Sequence, residues 1–292
     1  MPEAPREHGR FPYSPIVDRK PLRWPNGARI AVWVIPNIEH FLFDRPATSI
    51  SSASTGTPDV LNYSWRDYGV RVGIWRMMEI MERHGFRGTV ALNSDVCLHY
   101  PRIIDAGNKL GWEWMGHGET NSIRLGSQNE DEERALIRNV VETVGKHAGR
   151  KPRGWLSPGL SETVRTLDLL AESGIEYVGN WVNDEQPYPM KVKSGSMHSI
   201  PYSAEINDIP AMIGLHRSPE EFGRMITDQF DVLYEDGAKT GRVMSVCLHP
   251  FLTGVPHRSK YLDQALAHIR TRKEVWLATG AEIIDAYRKQ AS

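Results

Sequence analysis

Polar residues that could carry chemistry recur directly after short apolar runs of this sequence. Glu39 closely follows the run at residues 28–35, His117 follows residues 112–115, and His249 follows residues 242–248. A carboxylate can act as a base or ligate a metal ion, and an imidazole can ligate, transfer a proton or polarise a carbonyl. Glu39, His117 and His249 are therefore candidate catalytic residues for hydrolysis by an activated water.

A second group of polar and aromatic residues could contact a substrate. Asn93 and Asn121 offer amides that can hydrogen-bond a substrate amide, although Asn121 could equally cap a helix. Trp65 could line the mouth of the site or pack in the core. The predicted substrate contacts are Asn37, Asn93, Asn121, Trp65 and Asp184.

Several well-known catalytic motifs are missing from the sequence. It contains no GxSxG elbow, no HExxH helix and no glycine-rich phosphate loop. These absences argue against a serine hydrolase of the elbow type, a zinc protease of the HExxH type and a nucleotide-phosphate enzyme.

Apolar segments typical of buried strands alternate with amphipathic helical segments along the chain. Residues 70–84 repeat apolar side chains at helical spacing, and Gly85 ends that helix. This alternation predicts parallel strands joined by helical crossovers. The predicted strands lie at residues 28–35, 89–92, 112–115, 154–156, 177–180, near 200, 242–248 and 275–278. Candidate functional residues would then share the carboxyl edge of the sheet, where barrels carry their chemistry.

Two segments stand outside this alternation. Residues 1–28 are rich in proline and charge, which predicts an extended arm that wraps the body or a neighbouring subunit. Residues 44–64 are rich in proline, serine, threonine and glycine, which predicts a long loop. Cys97 and Cys247 each lie in an apolar run and are expected to be buried rather than paired.

The composition limits the classes of partner. The chain has 292 residues and a formal net charge of −1, so no basic surplus indicates a nucleic acid. No run of 18 apolar residues occurs, which argues against a membrane span. The first 25 residues lack the apolar core of a signal peptide, so a cytoplasmic location is expected.

Several segments together resemble the NodB-like polysaccharide deacetylase family. Residues 29–39 resemble its acidic first motif, residues 117–122 its metal-histidine motif, residues 153–159 its arginine-containing motif and residues 247–250 its late histidine motif. Residues 68–73 and 248–258 are similar to the branch that includes allantoinase-like and peptidoglycan-deacetylase-like enzymes. The similarity spans residues 22–288.

The resemblance implies an α/β fold, a deformed (β/α) barrel of about seven parallel strands. We expect one such domain over residues 29–292, preceded by the arm. The family pattern implies a divalent metal, often zinc, held by one carboxylate and two histidines four residues apart. A second carboxylate serves as base and a late histidine as acid. The resemblance also implies a homo-oligomer, a dimer or tetramer. Arg153 is expected to pair with a carboxylate, as an orienting residue behind the site or as a plain salt bridge.

The sequence departs from the family pattern at two positions. Asn37 stands where the base aspartate is expected, and Asn121 stands where the second metal histidine is expected. Neutral Asn37 cannot accept a proton from water, and an amide is a weak zinc ligand. We expect either no required cofactor or a divalent metal, zinc by preference, held weakly by Glu39, His117 and Asn121.

These observations predict a hydrolase of non-peptide carbon–nitrogen bonds that acts on a small linear or cyclic amide. Glu39 and His117 would activate water or hold the weak metal, and His249 would protonate the leaving nitrogen. One alternative is a zinc-dependent N-deacetylase of N-acetyl sugars or peptidoglycan fragments. Another is a catalytically inactive barrel that only binds a ligand.

Overall fold

The computed structural model describes residues 6–44, 58–123, 125, 126 and 128–291. Strands and helices alternate along these residues. The strands are β1 (Ile30–Ile38), β2 (Thr89–Leu92), β3 (Glu113–Gly116), β4 (Gly154–Trp155), β5 (Tyr177–Val178), β6 (Tyr188–Met190), β7 (Met197–Ser199), β8 (Arg242–Leu248) and β9 (Val275–Leu277). The α-helices are α1 (Val60–Tyr68), α2 (Ile74–Arg83), α3 (Ser94–His99), α4 (Pro101–Lys109), α5 (Glu130–Ala148), α6 (Thr166–Glu172), α7 (Pro219–Asp236), α8 (Pro256–Arg270) and α9 (Gly280–Ala291).

The strands form one curled sheet in the order β6-β7-β5-β4-β3-β2-β1-β8, and β9 pairs with the start of β1. Within the described residues every pairing is parallel except that of β6 with β7. The gap between β8 and the β6–β7 edge is bridged by single contacts, such as the backbone bond from Val243 N to Glu185 O at 2.8 Å. The predicted deformed (β/α) barrel is confirmed.

Each face of β1 packs into a different apolar core. Ile30, Val32 and Val34 lie in the cluster between the sheet and its surrounding helices. Ala31, Trp33 and Ile35 lie in the second cluster, which fills the inside of the curled sheet. Because side chains alternate along a strand, β1 can be buried on both faces, as expected for a central parallel strand.

The amino-terminal arm lies against the body of the same chain. Arg10 forms a two-pronged ion pair with Asp168, with N–O distances of 2.9 and 3.1 Å. Further along, Trp24 donates its ring N–H to the carbonyl of Arg242 at 2.7 Å. These contacts hold the described part of the arm, from residue 6, against α6 and β8. Residues 1–5 of the predicted arm lie outside the described residues.

Three local predictions differ from the structure. The loop predicted for residues 44–64 contains the start of α1, whose first turn is capped by Asp59 through the backbone N–H of Asn62 at 3.1 Å. Residues 45–57 of that loop lie outside the described residues. β1 continues past Pro36 to Ile38, because proline removes a donor but favours an extended backbone. β6 was not predicted.

Two further groups of side chains are buried. Met77, Met78 and Met81 are buried in the helix-facing core. Cys97 and Cys247 are buried free thiols. Among the described residues, no helix is both long enough and apolar enough to cross a membrane.

Candidate active site

The candidate catalytic residues meet at the carboxyl edge of the sheet. Glu39 follows β1, His117 follows β3 and His249 follows β8. Since these strands are parallel neighbours or near neighbours, their carboxyl ends converge. The chain turns sharply after His117 at Gly118, which has a φ of 70°. The conformation favours glycine, and a side chain there would also make a tight contact, 3.1 Å, with the ring of Pro158.

The centre of the site is one carboxylate oxygen between two imidazoles. Glu39 Oε1 lies 3.6 Å from Nε2 of His117 and 3.6 Å from Nε2 of His249. The three side chains are only 5%, 3% and 7% exposed. This geometry brings two ring nitrogens to one buried carboxylate oxygen.

Each imidazole is held by a hydrogen bond from its other nitrogen. His117 Nδ1 lies 2.5 Å from the carbonyl oxygen of Leu156, which can only accept, so Nδ1 carries the proton. A neutral His117 ring therefore presents a lone pair at Nε2. His249 Nδ1 donates to Asp208 Oδ1 at 2.7 Å. The two rings are thus oriented by the fold before any ligand binds.

Asp208 is a site residue that sequence reasoning missed. It is fully buried and also accepts hydrogen bonds from the backbone N–H of His249 at 2.8 Å and from Thr253 Oγ1 at 2.5 Å. Asp208 lies at the end of the irregular stretch predicted for residues 182–210, where no periodic pattern points to it. In the sequence, Asp208 is only one carboxylate in a long loop, and the candidate substrate contact in that loop is Asp184.

The charges in the centre are set by burial and by the neighbouring groups. Burial raises the pKa of Glu39, but the positive charge of the neighbouring His249 lowers it, and that pKa lies well below its usual range. Burial lowers the pKa of His249, but the carboxylates of Asp208 and Glu39 raise it to about 10. At neutral pH, Glu39 is therefore a carboxylate and His249 an imidazolium.

Asn121 and Asn93 join the centre through their amides. Asn121 donates its Nδ2 to Glu39 Oε1. Asn93 donates its Nδ2 to Asn121 Oδ1 at 3.1 Å and to the carbonyl of His117, and its Oδ1 accepts from the backbone N–H of His40 at 2.9 Å. Asn93 is completely buried, and both ends of its amide are engaged. The sequence predicts that Asn93 contacts the substrate, whereas the structure places its amide against other residues of the site.

Asn37 also differs from its predicted role. It is 1% exposed, and its Nδ2 donates to the carbonyls of Ile35 and Leu248 at 3.3 and 3.2 Å. Its donors join β1 to β8 and are not available to a substrate. Trp65 lies close to the site but not in its centre, because its ring packs at 4.8 Å on Phe251, whose ring lies 5.5 Å from that of His249.

Asp184 and Arg153 are not brought to the centre. Asp184 pairs with Arg19 of the arm at 2.6 Å and accepts from the backbone N–H groups of residues 185 and 186. Arg153 pairs with Glu176 and Asp285 at 2.8 and 2.6 Å. Because Arg153 precedes β4, it lies at the amino edge of the sheet, opposite the centre. Asp184 and Arg153 therefore pair with groups outside the centre formed by Glu39, His117 and His249.

The donor set does not fit a divalent metal in this arrangement. In the part of the chain that the structure describes, no three His, Cys, Asp or Glu side chains are arranged to hold a metal ion. The third predicted ligand, Asn121, turns an N–H group toward Glu39, and a metal requires a lone pair there.

A cavity of about 1200 Å³ lies away from this centre, beneath the arm. Its walls come from the arm, the loops around β6 and β7 and the start of β8, and they include Asp184 but none of Glu39, His117 or His249. The cavity and the catalytic candidates are therefore separate features.

Comparison with known proteins identifies the relatives of this chain. Residues 60–178 match the family model described as polysaccharide deacetylase. The predicted resemblance to the polysaccharide deacetylase family is confirmed. A Schizosaccharomyces pombe protein whose name assigns it to the polysaccharide deacetylases is 26% identical over 93% of this chain and 93% of its own. The chain thus has relatives of this family along nearly its full length.

Two further relatives carry more specific names. The peptidoglycan deacetylase of Helicobacter pylori is 26% identical over 64% of this chain and 73% of its own. The crystal structure of PuuE allantoinase superposes with a TM-score of 0.86 over 98% of both chains at 23% identity. At that identity the allantoinase supports the barrel fold alone.

Proposed function

We propose that this chain hydrolyses a carbon–nitrogen bond of a small linear or cyclic amide and does so without a required metal. The observation that carries the proposal is the position of Glu39 Oε1, 3.6 Å from Nε2 of both His117 and His249. A base and an acid then face one space from two sides, which is the arrangement that general acid–base hydrolysis needs.

The proposed reaction uses the two imidazoles in opposite roles. His117 Nε2 accepts a proton from water as the water oxygen attacks the amide carbonyl carbon. Glu39 holds the water and stabilises the resulting imidazolium. His249 then donates the proton on Nε2 to the amide nitrogen, and the carbon–nitrogen bond breaks to give a carboxylic acid and an amine. The proton held by His117 passes to solvent and His249 takes one back, which restores both rings. In a cyclic amide both groups stay on one opened product.

The burial of the centre supports a small substrate. With the three side chains at most 7% exposed, the centre suits a compact amide or a protruding end group. A neutral amide also adds no further charge to this buried centre.

Deacetylation of an acetamido sugar is the second candidate. The name of the Helicobacter pylori relative favours it, since that protein is a peptidoglycan deacetylase. An acetamido group is itself a small amide, so the same acid and base could act on it.

A substrate panel with and without metal tests the proposal. Protein purified in chelator is assayed against hydantoins, cyclic imides, ureides and N-acetyl sugars. We expect turnover of at least one small amide in chelator, and a loss of about 10²–10⁴-fold in His249→Ala, as for removal of a general acid. Activity confined to acetamido sugars and restored only by added zinc would favour the second candidate and contradict the first.

A further inference from the structure

The amide of Asn93 has its polarity fixed by the main chain on both sides. The backbone N–H of His40, which can only donate, points at Asn93 Oδ1 at 2.9 Å. The carbonyl oxygen of His117, which can only accept, receives a hydrogen bond from Asn93 Nδ2. Reversing the amide would lose both hydrogen bonds and oppose like groups inside a fully buried site.

The main-chain anchor at His40 is itself held in place. The carbonyl oxygen of His40 accepts the side-chain hydroxyl of Thr120 at 2.8 Å and the backbone N–H of Asn121 at 3.0 Å. The His40 ring stacks on that of His99, with centroids 4.7 Å apart and planes within 5°. The peptide that sets the polarity of Asn93 is therefore fixed on several sides.

The fixed orientation of the Asn93 amide also fixes the orientation of the Asn121 amide. Since Asn93 offers Nδ2 to Asn121, the group that accepts it must be Asn121 Oδ1, at 3.1 Å. The other end of the Asn121 amide, Nδ2, is then the end that faces Glu39. A cation between Glu39 and His117 would meet this N–H group instead of an oxygen lone pair.

We propose that Asn93 is a positioning residue that holds the Asn121 amide with its nitrogen toward Glu39, so that the centre excludes divalent cations. An N–H group thereby occupies the side of Glu39 that a metal ligand would need. This proposal rests on the proposed metal-independent hydrolysis. It attributes the metal independence to three hydrogen-bonded residues, His40, Asn93 and Asn121.

Cobalt titration of the full chain tests this without any substrate. Asn121→Asp keeps an acceptor for Asn93 and replaces the donor by lone pairs, so Co²⁺ should bind far more tightly than to the wild type and show visible absorption. Asn93→Leu changes no charge and frees the Asn121 amide to rotate, so it should raise Co²⁺ affinity about 10–100-fold, the usual size of effects from residues behind a ligand. Asn108→Asp, at an exposed position of α4, adds the same charge as Asn121→Asp away from the centre and should leave the Co²⁺ affinity unchanged.

The outcomes separate the steps of the inference. Wild-type protein that binds Co²⁺ as tightly as Asn121→Asp would overturn the exclusion of cations. If Asn121→Asp binds Co²⁺ tightly but Asn93→Leu binds it no better than the wild type does, the proposed role of Asn93 is overturned. If Asn93→Leu does not fold, Asn121→Asp still decides the first step, because Asn93 keeps all its partners there. Absence of amide hydrolysis in the substrate panel would reject the proposed function and leave the cobalt result standing.

Discussion

Asp208 accepts hydrogen bonds from both the backbone N–H and the ring Nδ1 of His249, at 2.8 and 2.7 Å. The two bonds fix the imidazole relative to its own main chain and leave Nε2 toward Glu39. They also place a buried negative charge on the far side of the ring. Asp208 therefore supplies both the orientation and the proton affinity that an acid in this position needs.

We expect Asp208→Asn to reduce kcat/KM about 100-fold or more, because a carboxamide cannot stabilise the imidazolium of a general acid. In the wild type, burial lowers the pKa of His249 and the two carboxylates raise it to about 10. An acid must be protonated to act, so wild-type activity should fall only as the pH rises toward 10. In the variant this alkaline fall should move to lower pH, as a pH–rate profile would show.

Asp231→Asn is the matched control for that experiment. Asp231 also pairs with a histidine, His268 at 3.1 Å, but on partly exposed α7 and α8. Its removal should leave the profile unchanged. An Asp208→Asn profile with the same alkaline limb as the wild type would show that His249 is not the acid.

Removal of the Arg19–Asp184 ion pair should affect stability and not catalysis. Both side chains are less than one-quarter exposed, and Asp184 also accepts two backbone N–H groups. We expect Asp184→Ala to lower the free energy of unfolding by about 1–3 kcal/mol, measured by urea denaturation, because buried donors lose their acceptor. Arg19→Ala should cost less. If Asp184 contacts substrate after all, KM will rise in Asp184→Ala and not in Arg19→Ala.

Gly73 should not tolerate a side chain, because it lies against the residue that follows His249. A Cβ at Gly73 would stand 2.0 Å from the carbonyl oxygen of Pro250. Gly73→Ala should therefore destabilise the fold by about 1–3 kcal/mol or more and reduce kcat by displacing His249. Gly145→Ala in α5 is the control: its Cβ meets the flexible side chain of Lys151, and alanine favours a helix. Equal melting temperatures for the two variants would contradict the close approach.

The residues that the sequence could predict are those whose role follows from local position. Glu39, His117 and His249 each stand at the end of a buried run, and parallel strands bring such ends together. By the same rule, a residue that precedes a strand lies at the opposite edge of the sheet, as Arg153 does. It precedes β4, so its place at the amino edge followed from its position in the chain, although the family motif suggested otherwise.

The residues that could not be predicted depend on contacts between distant segments. Asp208 reaches His249 only because the irregular chain before it runs beside β8, as the bridge between Asn207 and Cys247 shows. Asp184 lies in the same irregular stretch and meets the arm instead. The polarity of Asn93 depends on main-chain groups of residues 40 and 117, which no pattern of side chains reveals.

A buried carboxyl near the carboxyl edge should make stability depend on pH. Glu162 accepts a hydrogen bond from Asn180 Nδ2 at 2.6 Å, but burial outweighs this bond and raises the pKa of Glu162 to about 6. An acid with a raised pKa stabilises the fold most below its unfolded pKa, near 4.5, and this contribution is lost as the pH rises through 6. The variant Glu162→Gln carries no charge at this position and has no such pH dependence. Its free energy of unfolding, relative to that of the wild type, should therefore increase by about 2 kcal/mol at most as the pH rises from 4.5 to 6.5. Urea denaturation across this range measures the difference, and Glu205→Gln, at an exposed carboxyl, should show no such trend. A constant difference between Glu162→Gln and wild type at every pH would mean that Glu162 titrates as an ordinary surface carboxyl.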